Sequence, residues 1–571
     1  MSTEPPSDQP ENGTSTDAAA TTGAPAGLAT VALRPAIRRL VEGPATVGEL
    51  VACSGVSRRG IEALLATLGT NPEATLVEQG ERWAVSEALR NQLIAAWDLA
   101  SPPPAGRFLE PAVGGQLARW AESLGRPRRE LDHRPATPDG VAARLDAIDS
   151  HLDVRGANVL VLGGRDLDAL VLAADGRARQ VAVLDVDDAT LAVLGAADTG
   201  PGQLLTRWCD VRLGLPSPWA GWADLVLTDP PYTPEGMAAF LAIARQALSG
   251  PESRIAVSYG YGETRATLGW QVQREMIRAG LALTALWPGA VTYVGAEAIG
   301  GRADLYLLAP TGRDPVHHEA ANRLYTQGSA AARSASEPDP APLDAAIALA
   351  GSLAPEGGEA QVIGVRRLLS PGGAPKLRSG AVPVVDLRDD PGGWLPRLLL
   401  ALPCPSAVLV VDLERSDRRP GADPAAVDGR AWVRHHLAAH WTLDPANAPG
   451  AGIGAGDEAN SVGAEVLVAR RVETAGAPAA APMLVGRGHA NPRNVLAEWL
   501  TAQPGDPSPG GDGAATPPTR RQARALAEAH LAQLRVAPQP GDALIDLPLD
   551  RLAALLASPI PQSGATLNPG G

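Results

Sequence analysis

Asn158-Val159-Leu160-Val161-Leu162-Gly163-Gly164-Arg165-Asp166 reads as an apolar strand that runs straight into two glycines and then into a helix. Such a turn lets backbone approach a ligand at the carboxyl end of the first strand of a doubly wound sheet. The segment lacks the GxGxxG spacing of a dinucleotide fingerprint, so its surroundings decide the fold. Strands are predicted over Asn158–Leu162, Val181–Asp185, Gln203–Arg207, Ala223–Thr228, Arg254–Tyr259, Leu281–Leu286 and Asp304–Leu308. Helical stretches separate most of them, notably Asp166–Ala174, Pro234–Leu248 and Trp270–Ala279, after an opening helix from Asp139 to Leu152. Regular alternation of this kind predicts an α/β fold, a doubly wound parallel sheet over residues 139–312.

Acidic residues at strand ends give the first hint of a ligand. Asp185 lies 22 residues after Gly163, the spacing at which a carboxylate meets ribose hydroxyls. Asp210, after the third strand, is predicted to face an adenine amine. Gly163 and Gly164, with Asp185 and Asp210, are therefore the expected nucleoside-binding set.

The sharpest chemical signal is Asp224-Leu225-Val226-Leu227-Thr228-Asp229-Pro230-Pro231-Tyr232-Thr233, an apolar strand ending in Asp-Pro-Pro-Tyr-Thr. Proline has no N–H and a fixed φ, so two in a row hold their carbonyls rigidly away from the sheet ladder. Those carbonyls and the Asp229 carboxylate are predicted to accept hydrogen bonds from an amine, with Thr233 alongside and the Tyr232 ring covering a cationic group. An alkylammonium has a pKa near ~10 and is unreactive while protonated, so acceptors must orient it and take its proton. Glu263, after the fifth strand, is a candidate for the same crevice, competing with the reading of a solvated loop acid; Tyr293 and Glu297 read similarly.

The flanks complete the plan. At 571 residues the chain exceeds one core, and its 62 Gly and 53 Pro place linkers between compact pieces. Residues 1–27 read as a polar tail rather than a leader peptide. Residues 28–100 read as a winged helix: a helix, a capping box at Thr46-Val47-Gly48-Glu49, a turn at Gly55, a second helix from Ser57, then a hairpin around Gln79-Gly80. Its second turn-motif helix offers Arg58 and Arg59 and little else, a thin phosphate footprint. Residues 101–138 read as a connector carrying a helix around Gln116–Leu124. Linkers are predicted at 330–342 and 505–518, around a smaller α/β unit at 343–504, followed by an amphipathic helix, Thr519–Leu534, and tail. The net charge of −14 disfavours nucleic acid and favours a small cationic partner. Cys53, Cys209 and Cys404 are scattered, which fits a reducing cytoplasm, and no run of ~20 apolar residues predicts a membrane span. A homodimer is compatible with this organisation.

Asp229-Pro230-Pro231-Tyr232 at a fourth strand resembles the motif of adenosylmethionine-dependent amino-methyltransferases. The wider arrangement resembles a narrower family, the branched-chain polyamine synthases (N4-bis(aminopropyl)spermidine synthases). The likeness rests on the winged-helix region ahead of the sheet, on Thr137-Pro138-Asp139 with Arg144, on Tyr232-Thr233 after the prolines, and on Ala303-Asp304-Leu305-Tyr306. It spans about Leu28 to Thr311. It implies a Rossmann-like domain of the class I methyltransferase type and a cytoplasmic enzyme of polyamine biosynthesis. That enzyme would move an aminopropyl group from decarboxylated S-adenosylmethionine to a spermidine nitrogen. Asp229, Asp166 and Tyr232 would be catalytic, and Pro230, Pro231, Thr233 and Glu263 would line the amine site.

In one place the chain departs from the family. The family's Gly-Asp-Asp-Asp is here Gly163-Gly164-Arg165-Asp166, and only Asp166 stays in register. Losing carboxylates predicts a weaker polyammonium site, by roughly tenfold per ~1.4 kcal/mol removed. Arg165 is predicted to pair with a donor carboxylate, which S-adenosylmethionine has and the decarboxylated donor lacks, so either is an expected co-substrate. Displacement at a carbon bonded to sulfonium requires no metal, because the leaving group is already charged. His436 and His440 share i, i+4 spacing but lack a third ligand, and the Gly450–Gly456 run lacks a leading strand and a closing Lys-Ser/Thr. An S-adenosylmethionine-dependent N-methyltransferase and a winged-helix regulator with a nucleoside-sensing domain are the competing readings; DNA methylation is disfavoured by charge.

Overall fold

The computed structural model describes residues 30–69, 76–79, 81–97, 99, 106–163, 165–199, 204–262, 265–295, 300–315, 324, 339–373, 376–412, 428–446, 464–472, 481–502 and 518–558. Gly164, Glu263 and Glu297, the tail, the 450–456 run and most of both linkers lie outside the described residues. The chain forms two compact units, residues 1–107 with 145–157, and residues 108–144 with 158–571.

In the first unit, helices α1 (Thr30–Glu42), α2 (Val47–Ser54), α3 (Arg58–Leu68) and α4 (Glu87–Ala96) accompany strands β1 (Ala45–Thr46), β2 (Leu76–Gln79) and β3 (Arg82–Val85), ordered β1-β3-β2. The capping box forms as expected: Thr46 Oγ1 accepts the Glu49 N–H at 3.1 Å, and Glu49 Oε2 accepts the Thr46 N–H at 3.0 Å. Gly55, at φ 68°, closes α2 where the sequence places its turn. Ile61, Leu65 and Leu68 are the buried face of α3 and join Ile37, Leu40 and Leu50 in one core. Arg58 pairs with Glu62 of the same helix at 2.8 Å, which further reduces what α3 could offer to phosphates.

The connector helix is longer than predicted: α5 spans Pro111–Ser123, opening on a proline, a residue suited to a helix's first turn. Helix α6 (Pro138–Leu152) follows, and the division between the two units falls within it. Thr137 Oγ1 accepts the Gly140 N–H at 3.0 Å at its start.

The second unit holds the predicted doubly wound sheet, with β4 (Asn158–Leu162), α7 (Asp168–Asp175), β5 (Gln180–Asp185), α8 (Asp188–Ala196), β6 (Leu204–Trp208), β7 (Leu225–Thr228), α9 (Pro234–Ala247), β8 (Arg254–Tyr259), α10 (Ala266–Arg278), β9 (Leu281–Thr292) and β10 (Arg302–Pro310). The order is β6-β5-β4-β7-β8-β10-β9, parallel except for β10, which runs antiparallel to both neighbours. This is the class I methyltransferase arrangement of a Rossmann-like sheet. Covered on both faces, the central strands are continuous apolar runs: Val159–Leu162, Val181–Leu184 and Leu225–Leu227 are buried. Two boundaries differ from expectation. Helix α7 starts at Asp168 because Leu167, at φ 69°, is left-handed and cannot be helical. Strand β9 continues past Leu286 through Pro288 to Thr292; it is an edge strand, where a proline removes no ladder bond.

A second sheet follows, with α11 (Ala341–Leu353), β11 (Ala360–Val362), α12 (Val365–Leu369), β12 (Val382–Asp386), α13 (Trp394–Ala401), β13 (Ser406–Asp412), α14 (Gly429–His436), β14 (Trp441–Pro445) and β15 (Ala464–Arg471), ordered β11-β12-β13-β15-β14. Helix α14 ends at His436, short of the predicted His440, so the two histidines do not share a helix. Helices α15 (Ala481–Leu484), α16 (Pro492–Ala502), α17 (Arg520–Gln533) and α18 (Leu549–Ala557) complete the described chain. No described helix is long and apolar enough to cross a membrane.

Arg397 of α13 joins the two sheets. It has no exposed surface, and its guanidinium donates to both Asp188 oxygens at 2.9 and 2.8 Å and to the carbonyls of Gly393, Ile545 and Leu547. Its charge lies 4.1 Å above the Trp208 ring. A buried charge is tolerable only when paired and fully hydrogen-bonded, which this one is.

Candidate active site

Strand order reverses beside β4: β5 and β6 lie to one side, β7 and β8 to the other. Ligands of such sheets bind outside the carboxyl ends of the strands at that reversal. Gly163, after β4, and Asp229, after β7, both line a cleft there, with Asp166, Asp185, Pro230, Pro231 and Tyr232. The cleft and its solvent-open mouth together hold about 750 Å³ of atom-free space. Gly163 sits at φ 85°, a conformation that favours glycine.

Asp229 is the cleft's open acceptor. Its Oδ2 accepts the Tyr293 hydroxyl at 2.5 Å, whereas Oδ1 is buried with no partner among the described residues. Burial, then the neighbouring Asp166 charge, push its carboxyl well above the usual carboxylate range, against the Tyr293 hydrogen bond and Arg144. Asp166 is differently placed. Its Oδ1 accepts the Ala136 N–H at 2.8 Å, and its Oδ2 accepts both Arg144 Nη atoms at 3.1 Å. Both Asp166 oxygens are therefore engaged, whereas Asp229 keeps one oxygen without a partner among the described residues.

Arg144 also holds Asp168, through Nε at 3.1 Å and through Nη2, and donates to Ser258 Oγ at 3.0 Å. Burial raises the Asp168 carboxyl to about 6 despite this partner, with Asp166 adding to the rise. Two carboxyl groups thus share one guanidinium.

The Tyr232 ring lies 5.4 Å from that of Tyr259, tilted by 41°, and its hydroxyl is buried without a partner among the described residues. Burial, then the Asp229 charge, hold this phenol protonated far above its ordinary range.

Several predicted roles change. The Pro231 carbonyl accepts the Thr233 N–H at 2.7 Å and faces Gly236, where a Cβ would lie 2.9 Å away, so it is taken up by the turn. Thr233 caps α9, accepting the Gly236 N–H at 2.8 Å. Asp210 does not line the cleft, and its carboxylate accepts from Arg212 Nε and Nη2 and from the Trp394 indole N–H at 3.1 Å. Only its neighbours Cys209 and Val211 line the cleft. Asp185 does line it, while its Oδ1 accepts the Asp187 N–H at 2.7 Å. Arg165 also lines the cleft and donates to the Leu124 and Gly125 carbonyls at 2.8 and 2.7 Å, satisfying the last turn of α5 and its exit.

Sequence reasoning missed the Asp132-His133-Arg134 wall, hidden in what read as a connector. His133 Nδ1 accepts the Arg128 N–H at 3.4 Å, and burial, against the Asp187 charge, lowers the imidazole to about 4, keeping it neutral at pH 7. No periodicity flags such a loop.

Residues 113–317 match the family model of the branched-chain polyamine synthase A C-terminal domain. The matched segment is less than half of the chain and contains the Rossmann-like sheet. The N(4)-bis(aminopropyl)spermidine synthase of Thermus thermophilus is 30% identical over 189 residues, 33% of this chain and 55% of that one. The synthase of the same name from Thermococcus kodakarensis is 33% identical over 152 residues, 26% and 43% of the two chains. The chain thus spans about half the length of the curated relatives it matches. A crystal structure of the Thermus thermophilus branched-chain polyamine synthase, bound to N4-aminopropylspermidine and 5'-methylthioadenosine, aligns with TM-score 0.34 and 21% identity over 52% of this chain and 91% of that one. The family match covers the loops that carry Asp166, Asp229 and Tyr293.

Proposed function

We propose that the Rossmann-like domain transfers an aminopropyl group from decarboxylated S-adenosylmethionine to a polyamine nitrogen, a step of polyamine biosynthesis. The observation that carries this reading is the unpartnered Oδ1 of Asp229, buried beside the fixed charge of Asp166. A neutral amine nitrogen attacks the carbon bonded to the sulfonium. The new C–N bond forms as the C–S bond breaks, its electron pair passes to sulfur, and a neutral thioether nucleoside leaves. The secondary or tertiary ammonium so formed loses its proton to Asp229 Oδ1, the carboxylate oxygen without a partner among the described residues, whose proton affinity is raised by burial. Asp166 attracts the cationic amine, and Asp185, which lines the cleft, would hold the ribose hydroxyls. The enzyme's work is alignment and exclusion of water.

The engagement of Arg165 by backbone carbonyls favours the decarboxylated donor over S-adenosylmethionine. Incubation with each donor and a panel of amines, read by mass spectrometry, tests the proposal. A product heavier by one aminopropyl unit is expected, absent in Asp229→Asn. A gain of one methyl instead would assign an N-methyltransferase, and donor binding without any product would assign a sensor.

A further inference from the structure

Tyr293 stands one residue beyond β9 and is 7% exposed. The backbone around it is fixed from two sides. Its N–H donates to the Gly301 carbonyl at 3.0 Å, the Val294 N–H to Pro135 at 3.0 Å, and the Thr137 N–H to Thr292 at 2.8 Å. The Thr137 and Thr292 hydroxyls are 2.5 Å apart. Gly140 packs so closely on this strand end that a Cβ would lie 2.5 Å from the Thr292 carbonyl oxygen. The same 135–137 segment gives the Ala136 N–H to Asp166 Oδ1. One strand tip therefore sets the positions of both cleft carboxylates.

We propose that Tyr293 is a positioning residue for proton transfer: its hydroxyl occupies Asp229 Oδ2, fixes the carboxyl plane, and leaves Oδ1 as the oxygen that meets the amine. The role rests on the transfer reading above. Burial, then the Asp229 charge, hold the Tyr293 phenol well above its ordinary range, so it remains a donor wherever an amine substrate reacts. The groups facing Asp229 are Asp166 and Asp168 after β4, Arg144 on α6, Tyr232 and Tyr259 at the ends of β7 and β8, and Tyr293. Among them the Tyr293 hydroxyl is the one that donates directly to the carboxylate. A donor to the charged form favours it, so losing the hydroxyl raises the proton affinity of Asp229.

Tyr293→Phe in the full chain removes the hydroxyl and keeps the ring. With aspartate carboxyls carbon-13-labelled and the resonance assigned through Asp229→Asn, Asp229 is expected to titrate at higher pH in Tyr293→Phe than in the unmodified protein. With substrates, the acid limb of kcat/KM moves up by the same interval and kcat falls roughly tenfold, the weight of one hydrogen bond to a charged group. The donor KM stays within about twofold, since Tyr293 acts on the amine side. 3-Fluorotyrosine at position 293, a stronger donor of similar shape, moves the titration downward and covers the case in which the phenylalanine variant fails to fold. An Asp229 titration unmoved by either change overturns the proposal. That titration needs no substrate, so absence of turnover by the unmodified protein sinks the transfer reading alone.

Discussion

Asp229 occupies a place where its ionised form is disfavoured, and the sign of the consequence is definite. Its folded-state proton affinity exceeds that of the unfolded chain, so its contribution to stability is complete below about pH 4 and declines as pH rises toward the folded-state value. Asp229→Asn should therefore raise the unfolding midpoint at pH 8, with the advantage vanishing near pH 4, while lowering turnover roughly hundredfold or more. A variant no more stable at pH 8 would contradict the burial of an unpartnered Oδ1. His133 behaves in the opposite sense. Its imidazole is lowered to about 4, so the stability linked to it is present above about pH 6.5 and is lost as pH falls toward 4. His133→Gln should flatten the pH dependence of the unfolding midpoint across that window; an unchanged slope would locate the acid sensitivity elsewhere. For Arg165→Ala we expect a loss of about 1–3 kcal/mol from unsatisfied helix carbonyls and no change in the ratio of turnovers with the two donors. A changed ratio would return this guanidinium to donor recognition.

At the scale of elements, the strand tip after β9 and the loop before α6 act as one clamp. Gly140→Ala must displace Thr292, a strain of about 1–3 kcal/mol, and turnover should fall more than roughly tenfold if both cleft carboxylates move. Retained activity with reduced stability would show that the clamp does not control the site. How much of this was legible follows from the range of the forces involved. The strands β4, β5, β7 and β8 announce themselves, because burial on both faces writes a continuous apolar run into local sequence. The Thr46–Glu49 box and the Asp229-Pro230-Pro231-Tyr232 corner are equally local. The partners that reassigned Arg165, Asp210 and Asp229 stand 41, 184 and 64 residues away, at Leu124, Trp394 and Tyr293. Nothing in a nearest-neighbour pattern encodes such pairs. For the local Pro231 carbonyl, the proline signal fixes φ but does not say which N–H the oxygen meets, here that of Thr233.

For the molecule as a whole, Arg397 ties the second sheet to the loop that follows Asp185. Breaking a buried, fully bonded pair leaves an uncompensated charge, at a cost of about 3–5 kcal/mol. Arg397→Met should lower the denaturation midpoint by that measure, and weaken nucleoside binding as well if the Asp185–Asp188 loop loosens. An unchanged midpoint would mean that solvent replaces the contact freely. The 113–317 family match ends well before Arg397, so the added sheet lies outside the matched segment and is held to it through Asp188.

Asp188 also accepts the backbone N–H of Leu549, 361 positions further along the chain. A ribosome adding roughly 5–20 residues per second needs on the order of 20–70 s to bridge that interval. For the first 209 positions of that interval Asp188 has neither companion, and after Arg397 is made it still lacks the Leu549 N–H. Arrested nascent chains ending before Arg397 should accordingly be cleaved by protease near Asp188, and chains extended past Leu549 should resist.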